Sequence, residues 1–360
     1  MQKMINAIPS IHIKLSLIAG AAATAMMLFT APSPAFAQVT AFKQAVAEAA
    51  ARDEDIAAHY RDSNYAPIWT DPGDTQRDRR AALMAAIKTA ELHGLPVARY
   101  DPQGLMNTLA NARTPRDRGL AEVEMTRVFL QYARDLQTGI LIPSRVDSSI
   151  VREVPYRDRQ SYLTDFVKSD PMPFLRNLRP RTMEYNALMR EKLAMEKLLA
   201  TGGWGPSVSA PALKPGAQGP AVVSLRNRLI RMGYLKRSNG MSYDSAIEAA
   251  VREFQQDHGL NTDGVAGPGT ITEMNKSVET RLKSVVVAME RERWLNKERG
   301  ARHVLVNIPA FTAAIIDNGR VTFETRSVVG ATEDGRYTPE FSDTMEYIVI
   351  NPTWNVPRSI

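Results

Sequence analysis

No cysteine occurs anywhere in the 360 residues. That excludes disulfides and any thiol nucleophile within the chain, so stability must come from hydrophobic cores alone. Histidine is scarce, with five in all. No H-x-x-H or H-E-x-x-H spacing exists among them, which removes the usual histidine-based zinc site. Neither a metal nor a cofactor is expected. Beyond residue 30 no apolar run approaches the ~20 residues that a spanning helix needs. Neither sign of charge dominates: 45 Lys and Arg face 39 Asp and Glu, a net charge of +6. The charges are interspersed, so the balance does not argue for nucleic acid.

What is present begins with an export signature. Lys3 and Lys14 give a positive start, Leu15 to Thr30 is apolar and mostly small, and Pro32 and Pro34 break the run. Ala35-Phe36-Ala37 is a small-x-small site before Gln38. This predicts a secretory signal peptide over 1–37, cleaved at Ala37-Gln38, and no stable membrane span afterwards. The rest is long enough for two or three domains.

From 38 to 203 the pattern is helical. Met125, Val128, Phe129, Tyr132 and Leu136 recur at the spacing of an amphipathic helix. Leu83, Ile87 and Leu92 suggest another, ended by Gly94. Frequent Pro and Gly predict short helices. Residues 204–219, rich in Gly, Pro, Ser and Ala, read as a linker. The stretch 220–278 reads as a compact helical unit near the lower size limit for an independent core. Val222, Leu225, Leu229 and Met232 form one apolar face with Gly233 as C-cap, and Asp244 or Ser245 caps the next helix.

A connecting helix over 279–300 carries Leu282, Val285, Val286 and Met289 on one face. Then the period changes to that of strands. Four are predicted: His303 to Ile308, Phe311 to Asp317, Arg320 to Val329 and Glu346 to Asn351, with Asn318-Gly319 as a hairpin turn. Unpaired edges would remain, and the expectation is that this part does not settle and is trimmed by proteases towards Leu295.

The run from Gly219 to Leu235, Tyr243-Asp244, Ala250 to Leu260 and Asp263 to Thr270 resembles a three-helix peptidoglycan-binding domain. Val222, Leu225, Leu229, Val251, Phe254 and Leu260 are its expected core. Arg293-Trp294-Leu295, Val304 to Pro309, Val328-Val329-Gly330, Thr338-Pro339 and above all Asn351 to Ile360 (NPTWNVPRSI) resemble the start of a YkuD-type catalytic domain of large periplasmic L,D-transpeptidases. Trp69, His93-Gly94-Leu95, Tyr100 and Leu136 to Pro143 fit the helical scaffold domain that such proteins carry.

The fold class implied is multidomain α+β. It comprises an all-helical N-terminal scaffold, a small peptidoglycan-binding domain and an incomplete β-rich L,D-transpeptidase catalytic domain over 301–360. The implied activity is cross-linking of peptidoglycan stem peptides through a cysteine acyl-enzyme, with a histidine as base and backbone N–H groups for the oxyanion. The family's His-Gly and Ser-x-Gly-Cys-x-Arg motifs are absent. His93-Gly94 lies in the helical region, where it reads as a helix end. No catalytic residue is therefore transferred, and the expectation is that the thiol motif lies beyond Ile360 and that these 360 residues are inactive alone.

The implied partner is peptidoglycan, in the periplasm or at the cell wall. Tyr337 and Thr338, in a segment expected to link two strands, and Trp354 are candidate substrate contacts. Trp294 and Trp354 are candidates for stacking on sugar rings, although a Trp at a domain junction is more often core. Asp244, Asp263 and His258 lack metal-ligand spacing, and Asp263 before Gly264 reads as a turn. The rival reading is a non-catalytic wall-binding protein attached through Leu213 to Asn275. A zinc amidase or carboxypeptidase lacks its ligands.

Overall fold

The computed structural model describes residues 34–331, 333 and 335–353. The expected signal segment up to residue 33 and Trp354 lie outside the described residues. Thirteen described helices precede a three-stranded sheet, a multidomain α+β architecture. The first nine helices are α1 (Pro34–Ala50), α2 (Glu54–Asp62), α3 (Asp74–Lys88), α4 (Pro102–Asn111), α5 (Pro115–Thr138), α6 (Pro143–Val146), α7 (Arg159–Lys168), α8 (Pro171–Asn177) and α9 (Met183–Ala200). Then follow α10 (Pro220–Met232), α11 (Ser245–Asp257), α12 (Pro268–Met274) and α13 (Val278–Trp294).

Helix α5 organises the first body. Thr114 Oγ1 accepts from the Asp117 N–H at 3.1 Å while Asp117 Oδ2 accepts from the Thr114 N–H at 3.0 Å, a capping box that starts the helix beside Pro115. The expectation of short helices fails here, because α5 runs for 24 residues. Good helix formers and a cap outweigh the surrounding proline punctuation. Its buried face includes Met125, Val128, Phe129, Tyr132 and Leu136, as the spacing predicts. Helix α1 lies directly on α5 at Gly119, where a Cβ would stand 2.7 Å from Ala45 Cβ and 2.8 Å from the Phe42 carbonyl oxygen. Only glycine permits that approach.

The aromatic centre of this core is Trp69, Phe129 and Phe166, with ring centroids 4.5–5.6 Å apart. Glu122 sits fully buried beneath it. Its carboxylate accepts from Tyr60 Oη at 2.8 Å, Trp69 N at 3.1 Å, Thr70 N at 2.9 Å and Thr70 Oγ1 at 2.7 Å. This pins the 68–70 turn to α5. Leu92 does not join α3: that helix ends at Lys88, a 3₁₀ turn covers Ala90–His93, and Leu92 faces solvent.

A second, separate core is built by Val222, Leu225 and Leu229 of α10, Ile247, Val251 and Phe254 of α11, and Ile271 and Met274 of α12. Asp244 caps α11 by accepting from Ile247 N at 2.9 Å, and Gly233 closes α10 in the left-handed region. Val208 and Leu213 are buried in this core, with Leu213 bridged to Ala266. Helix α13 returns to pack along α9. The two ends of the inserted unit meet there, since a Cβ on Gly203 would touch Val278 Cγ2 at 3.4 Å.

The sheet runs β1 (Arg302–Asn307), β2 (Thr312–Asp317) and β3 (Arg320–Arg326), antiparallel in that order. Arg302 faces Asp317 and Asn307 faces Thr312, while Asp317 faces Arg320 across the Asn318-Gly319 turn. A register shift falls between Ile315 and Ile316. Both turn residues have positive φ, 50° and 76°, which suits the hairpin twist. The predicted fourth strand is a correction. Residues 346–351 form no strand, and Tyr347 and Ile350 are exposed. The chain after β3 is drawn to the helical body, where Glu340 pairs with Ile150, instead of returning to the sheet edge.

Candidate functional site

The segment after β3 holds two of the three candidate contact residues. Thr338 Oγ1 accepts from the Gly330 N–H at 2.6 Å and so closes a loop on itself. A Cβ on Gly330 would lie 2.7 Å from the Thr338 nitrogen, so this closure requires glycine there. Tyr337 is half exposed beside it. Trp354 lies outside the described residues, so the three are not brought together within them. Contrary to expectation, Tyr337-Thr338-Pro339 does not link two strands. It leads from β3 to the helical body.

The landing point is Glu340. Its backbone N–H donates to the Ser149 carbonyl at 3.0 Å. Its carboxylate accepts from Arg152 Nε at 3.2 Å and, on the other oxygen, from Arg291 Nη2 of α13. Partial burial raises the Glu340 carboxyl, but the bonds and charges of Arg291 and Arg152 outweigh it and hold it below its ordinary value. Two arginines from two sections of the chain thus converge on one carboxylate of a third. The sequence gives no local signal for this, because the partners are 188 and 49 residues away.

Deeper in the same junction, α13 carries Glu290, Arg293 and Trp294 against the first body. Arg293 is almost fully buried. It donates through Nη2 to Glu290 Oε2 at 3.0 Å and through Nη1 to the His93 carbonyl at 2.9 Å. Glu290 Oε1 accepts from Leu141 N at 2.8 Å and from Trp294 Nε1 at 3.2 Å. A buried ion pair with its remaining hydrogen bonds filled is a specific joint rather than a large source of stability. Trp294 is 3% exposed, which overturns the sugar-stacking reading for that ring.

His93 lies over Tyr185, with Nδ1 3.1 Å from the phenol oxygen. Burial first, then the Arg293 charge, pushes its pKa down to about 4. Gly94 follows as the left-handed cap of the 3₁₀ turn.

In the second core the three residues weighed as ligands have separate tasks. Asp263 Oδ1 accepts from Gln255 Nε2 at 3.0 Å and Val265 N at 2.9 Å, which shapes a turn. Asp244 is a helix cap. His258 Nδ1 lies 2.7 Å from the Phe254 carbonyl. Among the described residues no group of three or more His, Cys, Asp or Glu side chains is placed to hold a metal. Sequence reasoning missed Gln255, which is buried and also donates to the Val265 carbonyl and Thr270 Oγ1 while accepting from Gly264 N. Arg228 was missed too. It donates to the carbonyls of Met274, Gly205, Pro206 and Lys276 and so laces the unit's two ends together.

Three family models match the chain in succession. A scaffold domain matches residues 54–191, a putative peptidoglycan binding domain matches 218–274, and the YkuD L,D-transpeptidase catalytic domain matches 301–360. No curated protein matches the chain. The three matches coincide with the first helical core, the second helical core and the sheet. They give the chain an L,D-transpeptidase-like, peptidoglycan-related role, with peptidoglycan as partner and a place at the cell wall or in the periplasm. Among the described residues no helix is long and apolar enough to cross a membrane.

Proposed function

We propose that this chain is exported to the periplasm by its N-terminal signal and serves peptidoglycan cross-linking of the L,D-transpeptidase type. The unit around α10–α12 holds the wall polymer, and the body built on α5 supports the sheet of the catalytic domain. The observation that supports this best is the order of the three family matches along one chain. The clasp at Glu340 and the Glu290–Arg293 joint supply physical support, because both tie the sheet-bearing section to the scaffold.

In this chemistry a cysteine thiolate attacks a carbonyl carbon of a donor stem peptide and expels the residue beyond it as a free amine. The resulting thioester is then opened by an acceptor amine, which restores the thiol. No residue among these 360 supplies that thiol, so the acyl-transfer step is assigned to none of them. Tyr337 and Thr338, and Trp354 further on, remain the proposed contacts on the substrate side.

The test is sedimentation of the purified chain with isolated sacculi, followed by mass spectrometry of the muropeptides. The expected result is binding without new cross-links. Failure to sediment would remove the wall-binding part of the reading, and new cross-links made without a thiol would remove the cysteine mechanism. Binding without chemistry also describes the rival, a purely wall-binding protein. The match over 301–360 favours the transpeptidase reading over it.

A further inference from the structure

Helix α10 buries Val222, Leu225, Arg226 and Leu229, the i, i+3, i+4, i+7 stripe of a core-facing helix. A guanidinium therefore occupies a position where an apolar side chain is the rule. Arg226 is 7% exposed. Among the described residues three buried side-chain nitrogen or oxygen atoms lack a hydrogen-bond partner, and two of them are Arg226 Nε and Nη1. Its Nη2 reaches only Asn227 Oδ1 at 3.5 Å, the outer limit for a hydrogen bond.

Four acids of the same unit are engaged elsewhere. Asp244 caps α11, Glu248 pairs with Arg252, Asp257 accepts from Tyr234, and Asp263 accepts from Gln255. Arg228, two residues on, shows what a structural arginine looks like here, with four backbone carbonyls around it. Arg226 has no such set.

A buried, unpaired cation is expensive, and a guanidinium cannot escape by losing its proton. Such a group calls for an anion, and the planar fork of arginine suits the two oxygens of a carboxylate. The cover over it is thin. A Cβ on Gly240 would stand 3.9 Å from Arg226 Nη1. Residues 236–240 are all exposed and make no backbone–backbone hydrogen bond to other described residues. Lys236 and Arg237 begin that loop, so an approaching anion meets positive charge first.

We propose that Arg226 is the carboxylate-recognising group of the wall-binding unit, taking a free carboxylate of a peptidoglycan stem peptide beneath the 236–240 loop. The proposal rests on the peptidoglycan-binding reading above and adds to it the ligand group and the residue that reads it.

The experiment uses the full chain with Arg226→Gln and Arg226→Met. Sedimentation is compared on intact sacculi and on sacculi stripped of stem peptides by an amidase. The expected result is at least tenfold weaker binding of the unchanged chain to stripped sacculi, and equally weak binding of both variants to either kind, with melting midpoints unchanged or raised. Variants that bind intact sacculi normally would overturn the proposal. So would binding of the unchanged chain that ignores the stem peptides. A lowered midpoint in both variants would make Arg226 a structural residue and overturn it as well.

A soluble probe separates this from the wider reading. N-acetyl-D-alanyl-D-alanine is expected to raise the melting midpoint of the unchanged chain, its C-terminal amide is not, and neither acts on Arg226→Gln. If the chain fails to bind sacculi at all, the peptidoglycan reading falls, and the acid-against-amide comparison alone decides the carboxylate site.

Discussion

Glu290 on α13 accepts a hydrogen bond from the backbone N–H of Leu141 at 2.8 Å, across 149 residues of chain. The same carboxylate neutralises Arg293, so one side chain closes the seam between the scaffold body and the helix that leads into the sheet. Glu290→Ala strands a buried guanidinium and a backbone donor. The expected loss is about 3–5 kcal/mol, read as a shift of the urea midpoint. Gly139→Ala attacks the seam from the other side. Gly139 has φ 90°, and a Cβ there would lie 2.5 Å from Glu290 Oε1, so a loss of at least about 1 kcal/mol is expected in the same assay.

His93 makes stability depend on acid. The imidazole is buried beside Arg293, so the folded chain binds its proton only at about 4 while the unfolded chain binds it at 6.5. Between those values the unfolded state carries the extra proton, so stability falls as pH drops through that window and levels off below it. The full effect is about 3 kcal/mol. His93→Gln is expected to flatten the difference between melting midpoints at pH 7 and pH 4. Equal acid sensitivity in the variant would show that another group is responsible.

The Glu340 clasp follows the opposite kind of group in the same direction of pH. Its carboxyl is held below 4.5, so the contact with Arg152 and Arg291 is complete above that value and is lost as pH falls through the lower folded value. Amide hydrogen exchange at residues 336–345 is expected to accelerate on acidification and to be fast at neutral pH in Glu340→Gln. Unchanged protection in the variant would assign the docking to the backbone bond with Ser149 alone.

Glu122 predicts the largest single effect in the first core. Its carboxylate is the shared acceptor for Tyr60, Trp69 and Thr70. Glu122→Leu leaves several buried donors unpaired at about 1–3 kcal/mol each, and the expected outcome is a chain whose scaffold body no longer unfolds cooperatively, seen in near-UV circular dichroism.

Local pattern made much of this fold readable in advance. The α5 stripe, the Asp244 cap, the Gly233 C-cap and the Asn318-Gly319 hairpin are all consequences of residues within a turn or two of each other. The failures have a common cause. Glu122, Glu290, Arg228 and Gln255 are polar residues with partners outside their own helices, so periodicity treats them as solvent-facing. The fourth strand failed for a related reason. The apolar alternation at 346–351 makes a strand only when it pairs with an edge, and these residues stay exposed and unpaired with the sheet after Glu340 has docked on the helical body. Tyr337 and Thr338 follow β3 but do not lie between two strands, because the pull of Arg152 and Arg291 on Glu340 is invisible in the local sequence.

The meeting of Gly203 and Val278 has a mechanical corollary. A unit that departs and rejoins at one spot is not in series with the rest of the polypeptide. A load applied to it by a stiff polymer arrives at a single pivot, while the helices on either side stay packed together along α9 and α13.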